Sequence, residues 1–135
     1  MAQFSSGMMR PMNKSVLASN VTVFGIPNCA TVKKSRVWLA EQGIAYRFHD
    51  FKKLGVPADL LPVWIAALGW EKLLNRKGST WRKLDAAAQV GVIDATSASA
   101  LMLAQPSVIK RPVALWRDGS VTVGFDAASF AAHLP

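Results

Sequence analysis

The chain reads as an α/β domain built on one mixed sheet. Two patterns predict this. A β-branched and aromatic run from Val21 to Phe24 is followed by a helical stretch and then an alternating run, Ala45 to His49. A strand, a crossover helix of about four turns and a second strand make a βαβ unit, whose two strands are parallel. Near the C-terminal end, Val113 to Trp116 and Val121 to Val123 flank Asp118-Gly119, a dipeptide that tolerates positive φ in a two-residue hairpin turn. Between these two units lies a stretch of helical composition, about 57–105. The expected order is β-α-β, helical insert, β-β-α.

The elements follow from local signals. Residues 1–20 carry three methionines by position 9, a Ser-Ser-Gly and a proline, without the continuous apolar core of a secretory signal. They read as a flexible extension, or as a start placed upstream of the true one, with the domain occupying 21–135. Gly25, Ile26, Pro27 and Asn28 break the first strand, and a helix runs from Cys29 to about Gln42. Gly43 is its left-handed C′ residue, and Ile44 packs back on the last turn. Val32, Val37, Trp38 and Leu39 are its expected buried surface.

In the second strand Tyr46 and Phe48 face one side, Arg47 and His49 the other. Pro57 to Leu68 has helical composition, and Pro62 either kinks that helix or delays its regular part. Gly69-Trp70 ends it. Leu73 to Thr80 reads as a loop, and Trp81 to Val90 and Asp94 to Ala104 as two further helices, the second capped by Asp94. Trp64, Trp70 and Trp81 are expected in the core. Asp126 caps a closing helix through Leu134. This element string is that of a thioredoxin-like domain, and other small α+β folds share it.

Composition bounds the function. The 135 residues are 51% hydrophobic, with a mean hydropathy of +0.22, which suits one folded domain with a real core. No apolar run approaches the ~20 residues that span a bilayer, and the expected location is cytoplasmic. One cysteine excludes an internal disulfide framework and any multi-cysteine metal site. His49 and His133 lie far apart, so no metal site is expected and no bound cofactor. The formal charge of +8 suits an anionic partner: nucleic acid, a membrane surface or a small acidic ligand. The basic residues are spread along the chain, densest at Arg76-Lys77, Arg82-Lys83 and Lys110-Arg111. No aromatic stacking platform is interleaved with them, so a nucleic-acid partner is not expected.

Cys29 stands where the first helix begins. Unpaired backbone N–H groups and the helix dipole there favour thiolate over thiol, which makes a cysteine nucleophilic. A lone cysteine also serves as a small buried hydrophobe, and the local pattern suits both roles. The second candidate segment is Ile109-Lys110-Arg111-Pro112, just before the third strand. A thioredoxin-like arrangement implies a cis-proline at Pro112 beside the cysteine, with Arg111 near the thiolate. A guanidinium fork suits a carboxylate or oxyanion and lowers a thiol pKa further. Lys33, one turn along from Cys29, adds charge to the same helix.

Three motifs in this order, Gly25-Ile26-Pro27-Asn28-Cys29-Ala30-Thr31-Val32-Lys33-Lys34-Ser35-Arg36, Leu73-Leu74-Asn75-Arg76-Lys77-Gly78-Ser79-Thr80-Trp81-Arg82-Lys83-Leu84 and Ile109-Lys110-Arg111-Pro112-Val113, resemble the arsenate reductase (ArsC)/Spx family, and its YffB-like branch in particular. The resemblance runs from about Val21 to the C-terminus. It implies a thioredoxin-like domain with a helical insert, a single redox cysteine at Cys29 and glutathione as co-substrate, with glutaredoxin a further partner. It also implies substrate or glutathione contacts from Asn28, Lys33, Asn75, Arg76 and Pro112, beside Cys29 and Arg111 as the catalytic pair.

Three departures narrow the reading. Well-characterised arsenate reductases carry a histidine four residues before the cysteine, where this chain has Gly25, and three arginines around the oxyanion. Arg111 matches the second arginine, and Arg76 or its neighbour Asn75 stands for the first. No arginine follows Arg117 to supply the third. Position 32 is valine, so the Cys-x-x-Cys pair of dithiol Spx proteins is absent. Cys29 therefore cannot resolve its own disulfide, and an external thiol must complete any cycle. The expected function is a glutathione-dependent thiol oxidoreductase or arsenate reductase-like protein acting on a small oxyanion or a disulfide. The alternative is a non-catalytic, Spx-like regulator that binds a protein partner such as RNA polymerase.

Overall fold

A computed structural model of the chain describes residues 21–134; the expectation for residues 1–20 lies outside them. Four strands form one sheet in the order β2-β1-β3-β4. β1 (Val21–Gly25) pairs in parallel with β2 (Tyr46–Asp50), Val23 opposite Phe48. On its other side β1 pairs antiparallel with β3 (Val113–Leu115), which pairs antiparallel with β4 (Val121–Val123). The crossover is α1 (Ala30–Glu41). A single turn, α2 (Phe51–Leu54), follows β2. The insert consists of α3 (Leu61–Leu68), α4 (Trp70–Leu73), α5 (Ser79–Lys83), α6 (Ala86–Val90) and α7 (Ala95–Ala104), and α8 (Ala127–Ala132) closes the fold.

The strand alternation sorts the core into two layers. Val21, Val23 and Ala114 face α1 and α8 and pack with Leu39, Trp116 and Phe130. Phe24, Val113 and Val121 face the insert and pack with Leu61, Trp64, Ala98 and Met102. Period-2 side-chain direction thus turns one sheet into the middle of a three-layer domain.

The end of α1 matches its expectation. Gly43 has φ 71°, its N–H donates to the Ala40 carbonyl, and Ile44 N–H donates to Leu39. Those two bonds are a Schellman motif. The buried face of α1 differs. It is Val32, Ser35 and Leu39, while Val37 is 56% exposed. Ser35 is tolerated inside because its hydroxyl donates to the Val32 carbonyl at 2.7 Å.

Pro62 delays its helix. The segment 57–60 is a turn closed on the Pro57 carbonyl, and Pro62 then sits in the first turn of α3, where a missing N–H costs little. The stretch Leu73 to Thr80 is less of a loop than expected. Leu73 and Leu74 are buried, Leu74 bridges Ile109 in antiparallel fashion, and Ser79 already begins α5. The helix expected over Trp81 to Val90 is two, because Asp85 caps a new start by accepting from Ala88 N–H. Asp94 caps α7 in a capping box with Ser97. The hairpin holds three residues, Arg117 to Gly119. Trp116 N–H donates to Ser120 and Gly119 N–H to Trp116, with Gly119 at φ 88° supplying the left-handed step. α8 ends at Ala132, short of Leu134.

Candidate active site

The parallel β1–β2 pair carries the chain to one end of the sheet, and the turn from Ile26 to Cys29 reverses it into α1. Cys29 N–H donates to the Ile26 carbonyl at 3.2 Å, and the Cys29 carbonyl accepts the first helical bond, from Lys33 N–H at 2.9 Å. Cys29 is therefore the N-cap, with extended backbone at φ −85°, ψ 128° and no acidic residue in the first turn. Its side chain is half-buried.

Burial pushes the Cys29 thiol up, but opposing contacts outweigh it and hold the thiol below its ordinary value. These are the N–H of Val32, the Arg111 guanidinium and the N–H of Thr31, with the Arg111 charge adding to them. The sulfur makes no capping bond of ordinary geometry. The two amides nonetheless face it closely enough to favour the anion.

Arg111 is built in from behind. One terminal nitrogen donates to the Ser107 carbonyl at 2.9 Å and, more weakly, to Ile109 at 3.4 Å. Its Nε is buried without a partner. The Arg111–Pro112 peptide is cis, Pro112 is buried, and the Pro112 carbonyl accepts from Gly124 N–H at 2.8 Å.

The remaining candidates fall into two groups. The structure brings Asn75 to the segment that leads into Arg111: Asn75 N–H donates to Val108 at 2.8 Å and Lys110 N–H to Leu73 at 2.7 Å. The Asn75 side chain folds its own turn by accepting from Lys77 N–H. Arg76 is exposed, with its guanidinium 5.5 Å from the Trp70 ring centre and 5.9 Å from that of Trp81. Asn28 is exposed in the turn beside Cys29. Lys33 is exposed. It lies on the outer surface of α1, lining open depressions with Val37, Trp38 and Phe125 on one side and Arg36 and Tyr46 on the other.

The anchors of these side chains were not visible in the sequence. The Ser107 and Ile109 carbonyls and the Val32 amide are backbone groups, which residue identity does not mark. Trp70 and Trp81 are half-buried against the core, and their second role, flanking Arg76, needs the folded insert. Among the described residues, no three His, Cys, Asp or Glu side chains gather as a metal-binding set, and no helix is long and apolar enough to cross a membrane.

Fold and site together define a thioredoxin-like domain with one cysteine at a helix N-terminus and an arginine and a cis-proline before the third strand. The ArsC family model matches residues 24–133, and the chain belongs to the ArsC family. It is similar in structure to the YffB (PA3664) protein, with a TM-score of 0.79 and 46% identity over 85% of this chain and 99% of the other. An arsenate reductase (ArsC) related protein from Brucella melitensis is 50% identical over 84% of this chain and 93% of its own, with a TM-score of 0.66. The global transcriptional regulator Spx of Streptococcus agalactiae is 26% identical over 85% of this chain and 83% of the regulator.

Proposed function

We propose that this ArsC-family protein is a monothiol, glutathione-dependent thiol oxidoreductase. The observation that carries the reading is the placement of half-exposed Cys29 as N-cap of α1, just beyond the Phe24–Val113 pair and so beside the cis Arg111–Pro112 segment, where amides and guanidinium lower its thiol pKa. Its working place would be the cytoplasm, where glutathione is kept as the thiol.

The Cys29 thiolate attacks the glutathione sulfur of a mixed disulfide, R–S–S–G. A Cys29–S–S–G bond forms and the R–S⁻ thiolate leaves. A second glutathione thiolate attacks the glutathione sulfur on Cys29, releasing oxidised glutathione and restoring the thiolate. In sum R–S–S–G and one glutathione thiol become R–SH and oxidised glutathione, one disulfide exchanged for another, so electrons and sulfurs balance with no second protein cysteine. Arg111 stabilises the thiolate that attacks and later leaves. Glutathione carries two carboxylates, and Arg76 and Asn75, beside the Arg111 segment, together with Asn28 and Pro112 would contact it. Lys33 has no part in this reading. Arsenate is a poorer fit, because position 25 lacks an imidazole and no third arginine follows Arg117.

Mass spectrometry after treatment with oxidised glutathione, run beside an arsenate reductase assay with glutathione and glutaredoxin, tests this. One glutathione adduct on Cys29 without arsenate turnover is expected. No adduct and no turnover would favour the regulator reading, to which the similarity to Spx lends support. In that case RNA polymerase would be retained from lysate by wild type and Cys29→Ala alike.

A further inference from the structure

Gly25 stands at the end of β1, opposite Asp50, buried and without a positive φ. Backbone conformation therefore does not require glycine there. Space does. A Cβ built on Gly25 would lie 2.8 Å from Val32 Cγ2, closer than carbon atoms approach, 3.6 Å from Cγ1 and 3.8 Å from Cβ. Val32 is wholly buried, so its methyls have nowhere to retreat. The bare α-carbon of Gly25 is thus the seat on which the first turn of α1 rests.

Val32 is the third residue of α1, whose N-cap is Cys29, and the third-residue N–H of a helix is one of those directed toward an N-cap side chain. The seated side chain and that N–H belong to one helical residue, so where the Val32 side chain rests sets where its N–H lies. We propose that Gly25 is a positioning residue for the Cys29 sulfur: by admitting the Val32 side chain at contact distance, it sets how near the Val32 N–H lies to the sulfur. Its consequence for turnover rests on Cys29 being the nucleophile. The geometric claim does not, and it is testable without glutathione.

The inference extends to what the site excludes. A side chain at position 25 and a valine at position 32 compete for one volume. A histidine at position 25 would therefore meet Val32 at its Cβ. Residue 32 would have to shrink with it.

The test is the rate of Cys29 alkylation by iodoacetamide against pH in wild type, Gly25→Ala and the double variant Gly25→Ala/Val32→Ala, with thermal melts of each. Gly25→Ala is expected to raise the thiol pKa and slow alkylation at pH 6.5 by up to about tenfold, the effect of moving one amide dipole away from a charged sulfur. The double variant removes both Val32 methyls and leaves the two Cβ atoms 3.8 Å apart, an ordinary contact. Its rate is expected within about twofold of wild type, because the two changes share one contact and do not add. A wild-type pKa in Gly25→Ala, even with a lowered melting temperature, would make the contact merely structural and overturn the proposal. So would a double variant as slow as Gly25→Ala.

Discussion

At the scale of single residues, the chemistry depends on what surrounds the Cys29 sulfur. Arg111 is the one side chain in that set, and its backbone anchors at Ser107 and Ile109 keep it from swinging into solvent. Arg111→Ala is expected to slow Cys29 alkylation at pH 6.5 by about tenfold or more, since it removes both a charge and a donor. Arg111→Lys should recover part of that loss, because the charge returns without the planar fork. Stability carries the same signature. The folded thiol pKa is lowered, so the unfolded chain holds the proton more tightly. The thiolate then stabilises the fold fully above the free-thiol value of about 8.5, and that contribution fades as pH falls through the folded value. The gap in melting temperature between wild type and Cys29→Ala should widen from pH 5 to about pH 9, read by thermal melts in matched buffers. Cys29 and Arg111-Pro112 were legible in the sequence as a strand-to-helix junction and a pre-strand proline. Which groups reach the sulfur was not, because two of them are amides.

At the scale of elements, α1 shows how far a local pattern carries. Its start, its end and its C′ glycine were legible, because capping uses residues adjacent in sequence. Its buried face was not. Val37 faces solvent while Ser35 is inside, satisfied by its own bond to Val32, and a hydropathy pattern cannot see that bond. Leu39→Ala is therefore expected to cost about 2–5 kcal/mol. Val37→Lys should change stability by no more than about 0.5 kcal/mol. Urea denaturation distinguishes the two directly. Gly43→Ala, at φ 71° with open space around it, should cost about 1–2 kcal/mol through backbone conformation alone. The hairpin repeats the lesson. Asp118-Gly119 marked a turn, but its three-residue length is set by the pairing of Trp116 with Ser120, which lies outside the dipeptide.

At the scale of the whole molecule, the insert is part of the domain and not an appendage. Leu74 bridges Ile109, and the insert shares one apolar cluster with Phe24 and Val113 of the sheet. The sequence showed the insert's helices by composition. It could not show this link, since a pairing between positions 74 and 109 leaves no local trace. Ile109 is wholly buried, and Ile109→Ala is expected to cost about 2–5 kcal/mol. Unfolding should remain a single transition, with tryptophan fluorescence and far-ultraviolet circular dichroism superimposing in urea. Two separated transitions would mean that insert and sheet unfold apart. The same link places the Asn75-Arg76 turn on the segment that presents Arg111, so a loosened bridge should slow Cys29 chemistry as well as lower stability.

The central claim is that Cys29 is more acidic than a free thiol and takes up glutathione as a single mixed disulfide. Its most direct measurement is the rate at which oxidised glutathione modifies Cys29 as a function of pH, followed by intact mass. The predicted result is one adduct, released by added glutathione and absent in Cys29→Ser, with a rate that levels off below the free-thiol value of about 8.5. A rate still climbing through that value, as for an ordinary thiol, or a protein that stays unmodified, would contradict it.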